Sequence, residues 1–154
     1  MAVLLGLLVA LTYGSGDFFG GIAASRSKPS SVVLGSVIGM GTVEHCNALI
    51  DDALARGAKL LCGGKATDTL MPATVLDQVT RDMRIYHEET FAPVKCIVRV
   101  NGVEEAIACA NDNEYGLSAA VFGRDIARAF NVARKIDSGI CHVNGPTVHD
   151  EAQM

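Results

Sequence analysis

Apolar residues recur at helical spacing in three stretches of the chain and alternate with polar ones in a fourth. Val43, Cys46, Ile50 and Ala53 predict a helix over residues 43–56, with Thr42 as N-cap, Arg56 in the last turn and Gly57 past the end. Val103, Ala106, Ile107 and Ala110 predict a second helix. Ile126, Ala129, Phe130 and Ala133 predict a third, with Asp125 at its start and Arg134 and Lys135 at its end, the arrangement the helix dipole favours. Short apolar runs at 59–62, 73–76, 117–122 and 139–144 read as strands, the first two separated by a turn at Gly63 and Gly64. In VKCIVRV, Val94, Cys96, Val98 and Val100 fall on one face of a strand and Lys95, Ile97 and Arg99 on the other. Strands alternating with helices make an α/β layered domain.

The stretch DMRIYHEETFAPV, residues 82–94, sits directly before that alternating strand and concentrates two adjacent carboxylates, an aromatic ring and a proline. Pro93 fixes its own φ and pushes Ala92 towards an extended conformation, so Glu88, Glu89 and Phe91 are expected on a rigid loop rather than a helix. Such a loop is a platform for a ligand. The plainer reading is an exposed acid ending a loop and a Phe filling the core.

The first 25 residues are different in kind. They contain no Lys or Arg and a single acid, Asp17, and the apolar run over residues 2–25 is long enough to cross a bilayer at about 1.5 Å per residue. Three readings fit it: a membrane helix, a buried soluble helix, and a signal peptide with Ala23, Ala24 and Ser25 near its cleavage site but no basic segment before it. Arg26 and Lys28 follow, which by the positive-inside rule puts the remainder in the cytoplasm. Pro29, Ser30 and Ser31 read as a linker.

Composition narrows the rest. The chain has 154 residues and a net charge of -4, so it is of single-domain size, and its slight acidity argues against a nucleic-acid partner. Five cysteines without a CxxC pair imply buried thiols in a reducing compartment rather than a disulfide framework or a zinc site. Cys141 beside His142, with His149, Asp150 and Glu151 near, has the composition of a thiol and its base. Neighbours on a strand point to opposite faces, however, so a core Cys and a surface His are expected.

Glu89, Phe91 and Pro93 form a Glu-x-Phe-x-Pro pattern that resembles the signature loop of the NAD(P)-dependent aldehyde dehydrogenases. GAKLLCGGK and LMPATVLDQVTRDMRI before it, and the run from VNGVEEAIACANDNEYGLSAAVFGRD to the end after it, resemble the same family's catalytic domain from about Val37 to Met154. The last fifteen residues are most similar to members acting on aromatic aldehydes such as salicylaldehyde, benzaldehyde or vanillin. The resemblance implies that Glu89 hydrogen-bonds the nicotinamide ribose and that Phe91 packs beside the nicotinamide ring of NAD or NADP. Ala92 stands where the family commonly has glycine. It also implies an aldehyde substrate, a homo-oligomer, and a strip over residues 145–153 lining the substrate pocket.

The family's nucleophile lies in a Gly-Gln-x-Cys context, and neither Gln78 nor Gln153 is followed by one. The general-base glutamate and the dinucleotide-binding domain belong upstream of Val37 in the family. No catalytic residue is therefore assigned, and the chain alone is expected to be inactive. Residues 1–35, through YGSGDFFGG, resemble instead the first transmembrane helix of the drug/metabolite transporters. The organisation expected is thus a hydrophobic helix at 1–28, a linker or junction at 29–36, and a partial aldehyde dehydrogenase catalytic domain at 37–154. The competing expectation is a non-catalytic, membrane-anchored domain or a fusion product.

Overall fold

The computed structural model describes residues 34–37 and 39–147. The apolar run over residues 2–25, the linker at 29–31, and His149, Asp150, Glu151 and Gln153 lie outside the described residues. Among the described residues no helix is long and apolar enough to cross a membrane. The linker or junction expected at 29–36 overlaps a strand, β1 (Leu34–Ser36). The described residues divide after Arg99 into two compact units.

In the first unit, β1 pairs antiparallel with β3 (Leu70–Pro72), and β2 (Lys59–Cys62), β4 (Thr74–Asp77) and β5 (Val94–Ile97) form a sheet of order β2-β4-β5. β2 runs antiparallel to β4, and β4 parallel to β5. The long helix α1 (Met40–Ala55) turns Val43, Cys46, Leu49, Ile50 and Ala53 inwards, into one core with Met71, Leu76, Met83 and Val94. It starts three residues before the predicted point. Gly39, not Thr42, is the N-cap, and no side chain caps it. Its other end follows the pattern: Gly57, at φ 101°, and Ala58 donate to the carbonyls of Leu54 and Ala53, the paired bonds that close a helix through a left-handed glycine.

Two further elements depart from the sequence reading. β3 was not anticipated, because three residues ending in Pro72 carry no alternation to read; they become a strand by pairing with β1. A single turn of helix, α2 (Arg84–His87), precedes the Glu88 loop and is anchored on α1, since the Arg84 N–H donates to Asp52 Oδ2 at 2.9 Å. Cys62 and Cys96 are exposed and not buried as expected. β2 and β5 are the outer strands of their sheet, and within β5 only Val94 is buried.

In the second unit, α3 (Val103–Ala110) precedes a β-α-β arrangement in which β6 (Ser118–Val121) and β7 (Ile140–Val143) run parallel and are joined through α4 (Ile126–Ala133). A parallel pair needs such a crossover. Asp125 caps α4 by accepting from the Arg128 N–H at 3.1 Å, as its position suggested. Ile107, Val121, Ala129 and Val132 form the core of this unit.

Candidate functional site

Glu88 to Pro93 leaves α2 with Glu88 extended and leads into β5. Glu88 is the C-cap of α2, with φ -94° and ψ 133°, and its N–H still donates to the Arg84 carbonyl. At the far end, the Thr74 N–H of β4 donates to the Pro93 carbonyl at 2.8 Å, tying the loop to the parallel ladder. Between these ends the loop is held by side chains. His45 Nε2 bonds the Glu89 carbonyl at 3.1 Å and the Cys46 thiol donates to the Thr90 carbonyl at 3.2 Å, so two successive carbonyls are taken by two successive residues of α1. A carbonyl only accepts, so His45 is the donor through Nε2–H. Thr90 Oγ1 lies 3.4 and 3.3 Å from the carbonyls of Ala92 and Val94.

The two adjacent glutamates have different surroundings. Arg84 donates to both oxygens of Glu88, at 2.7 and 2.9 Å, and His45 stands 4.0 Å from the same carboxylate. The bonds from Arg84 hold the Glu88 carboxyl below its ordinary value of 4.5. The half-buried Glu89 carboxylate has neither a hydrogen-bond nor an ion-pair partner among the described residues. An ionised carboxylate carries about four acceptor positions.

Phe91 does not fill the core. It is 55% exposed and has φ 44°, in the left-handed region that non-glycine residues rarely adopt. The expectation that proline would govern this loop's backbone does not account for Phe91. A strained exposed aromatic persists only where its surroundings over-determine it, and here the clamp on the Thr90 carbonyl and the Thr90 hydroxyl do so.

Cys141 and His142 occupy opposite faces of β7. Cys141 packs against the core of Ile107, Val121, Ala129 and Val132, and burial pushes its thiol above the ordinary 9.0. His142, expected on the surface, is half-buried, with its Nε2 shielded from solvent and lacking a hydrogen-bond partner among the described residues. The two do not form a nucleophile and its base. Burial raises the Cys46 thiol as well. Among the described residues no group of three or more His, Cys, Asp and Glu could hold a metal ion.

Comparison with known proteins gives the family. The chain matches the aldehyde dehydrogenase family over residues 22–154. It belongs to that family. Vanillin dehydrogenase of Pseudomonas sp. (strain HR199 / DSM 7063) is 52% identical over 132 residues, which cover 86% of this chain and 27% of that protein. The crystal structure of a salicylaldehyde dehydrogenase from Pseudomonas putida G7 complexed with salicylaldehyde is 51% identical, with a TM-score of 0.74 over 78% of this chain and 25% of that one. NADP-dependent glyceraldehyde-3-phosphate dehydrogenase from Bacillus halodurans C-125, solved with NADP, is 34% identical at a TM-score of 0.75, over 88% and 29%. The chain spans about a quarter of the length of the aldehyde dehydrogenases it matches. The family match begins at residue 22, inside the apolar run, and the comparisons support neither a transporter helix nor a chimera.

Of the residues that hold the site, His45 and Arg84 were not singled out from the sequence, and Cys46 was read only as a core position of its helix. The four-residue spacing of Arg84 and Glu88 was a usable signal, since such pairs meet on a helix. Nothing local in the sequence pointed to His45, which lies 44 positions from its partner.

Proposed function

We propose that this chain is the segment of an aromatic-aldehyde dehydrogenase that orients the nicotinamide half of NAD or NADP, with Glu89 accepting from the ribose hydroxyls and Phe91 packing beside the ring. The observation that carries the reading is the division between neighbouring glutamates: Glu88 is engaged by Arg84, and Glu89 has two acceptor oxygens and no donor to them among the described residues. A ribose diol supplies the two donors such a carboxylate accepts. Phe91 adds an exposed flat apolar face three residues beyond Glu88. These residues fit a nicotinamide nucleotide.

Bound there, that nucleotide would supply the hydride acceptor for oxidation of an aldehyde to an acid. The chain's own contribution is orientation: a carboxylate fixed on a clamped loop and a ring face that limits where the nicotinamide lies. The preference for aromatic aldehydes is supported by the identities of about one half with vanillin and salicylaldehyde dehydrogenases. That the sequence holds no Gly-Gln-x-Cys context supports a reading in which none of its five cysteines is the nucleophile.

Two measurements on the full chain test this. NADH should shift the NMR signals of Glu89 and Phe91. Vanillin or salicylaldehyde with NAD should give no NADH above a boiled-protein control. Shifts confined to other residues would remove the cofactor role, and turnover abolished by thiol alkylation would place a nucleophile in this chain.

A further inference from the structure

The bonds from α1 to the loop do more than join two elements. A carbonyl and the N–H of the next residue share one peptide plane. His45, on the Glu89 carbonyl, therefore fixes the plane between Glu89 and Thr90, and Cys46, on the Thr90 carbonyl, fixes the plane between Thr90 and Phe91. The first plane sets the direction in which the Glu89 side chain leaves the backbone. The second bears on Phe91 at φ 44°. Cys46 is fully buried and belongs to the α1 core. His45 is different: its side chain is 37% exposed, and its contacts are the Glu89 carbonyl at 3.1 Å and, further off at 4.0 Å, the Glu88 carboxylate.

We infer that His45 is a positioning residue for Glu89, holding the Glu89–Thr90 peptide plane so that the unpaired carboxylate is presented to a ligand while the paired Glu88 is not. The inference rests on the proposed cofactor role of Glu89 for its functional meaning, but the clamp itself is a property of the protein alone. His45 also faces Glu88 and so stands at the point where the two glutamates are sorted: its ring lies near one carboxylate and its N–H is given to the other residue's backbone.

The test uses the full chain, His45→Leu, which keeps apolar bulk and removes the donor, and His45→Gln, whose side-chain amide restores an N–H at similar reach. Backbone 15N relaxation reads each plane separately, through the Thr90 N–H for the His45 bond and the Phe91 N–H for the Cys46 bond. In the wild type both order parameters are expected near those of rigid backbone, about 0.85. In His45→Leu the Thr90 value should fall towards about 0.6, with Phe91 and the α1 residues Leu49 and Ile50 unchanged. His45→Gln should restore it. NADH should then shift the Glu89 signals at severalfold higher concentration in His45→Leu than in wild type or His45→Gln.

An unchanged Thr90 value in His45→Leu overturns the inference. So does loosening that spreads into α1, which would make His45 a general support of the fold, or a loss that Gln does not repair, which would assign the effect to ring packing. If NADH shifts neither Glu89 nor Phe91 in the wild type, the cofactor reading fails, and the relaxation data still decide the clamp.

Discussion

Arg84 grips Glu88 through both carboxylate oxygens, at 2.7 and 2.9 Å, and this contact makes two adjacent glutamates chemically unlike. Both groups stand on or beside a one-turn helix whose first N–H is itself taken by Asp52 of α1. The pair is partly exposed, so its worth lies in orientation more than in stability.

Glu88→Gln should therefore lower the melting temperature only slightly, and in a pH-dependent way. The folded-state value of Glu88 lies below its ordinary 4.5, so the unfolded chain takes up a proton first as the pH falls. The stabilisation is complete above the ordinary value and is lost on descending through the folded one. Melting curves of wild type and Glu88→Gln should differ at pH 7 and converge once the pH has fallen through the folded-state value, below 4.5.

Asp77 shows the same sign in a more buried place. Its carboxylate is 7% exposed and takes a fork of two bonds from Arg99, which hold it below its ordinary 3.8, with a further bond from the Gln78 N–H. Removing one partner leaves a buried charge alone. Urea unfolding at pH 7 should find Arg99→Leu less stable than Asp77→Asn, which removes the charge along with its need for a partner.

Phe91→Gly should cost little stability or none, because glycine accepts φ 44° and the lost ring is mostly exposed. The relief of a left-handed residue is about 1–2 kcal/mol and the added freedom of the unfolded chain offsets much of it. Denaturant unfolding should place Phe91→Gly within about 1 kcal/mol of wild type, and Phe91→Val, β-branched, clearly below both.

Thiol reactivity should follow exposure. Iodoacetamide at neutral pH, followed by mass spectrometry, should label Cys62 and Cys96 ahead of Cys46 and Cys141, whose thiols burial pushes upwards. Early labelling of Cys141 would reopen its candidacy as a nucleophile.

Much of the secondary structure was legible because periodicity and caps mark the helices, although Ile126 and Phe130, on the stripe that predicted α4, are exposed. Asp125 caps α4, Gly57 closes α1, and Val43, Cys46, Ile50 and Ala53 all face the core. Leu49, three residues after Cys46 and so on the same apolar stripe, is fully buried as well, although the reading did not name it. Leu49→Ala is accordingly expected to cost about 2–5 kcal/mol. What stayed hidden was whatever depends on distant partners. β3 exists through β1, Cys96 is exposed because β5 is an outer strand, and Phe91 is held left-handed by a loop clamped from 44 residues away. The candidate pair Glu89 and Phe91 came from a short pattern, and the residues that orient it come from α1 and α2.

The central claim is that Glu89, and not Glu88, orients the nicotinamide. The most direct measurement places residues 37–147 of this chain in the corresponding position of a complete vanillin dehydrogenase and compares the deuterium isotope effect on oxidation of deuterated aldehyde in three forms. Misplacing a reacting atom by about 1 Å costs on the order of a hundredfold in rate. Glu89→Gln should slow hydride transfer until an isotope effect appears or grows, while the unsubstituted graft and Glu88→Gln behave alike. Equal isotope effects in Glu88→Gln and Glu89→Gln, or no change in either, would contradict the account.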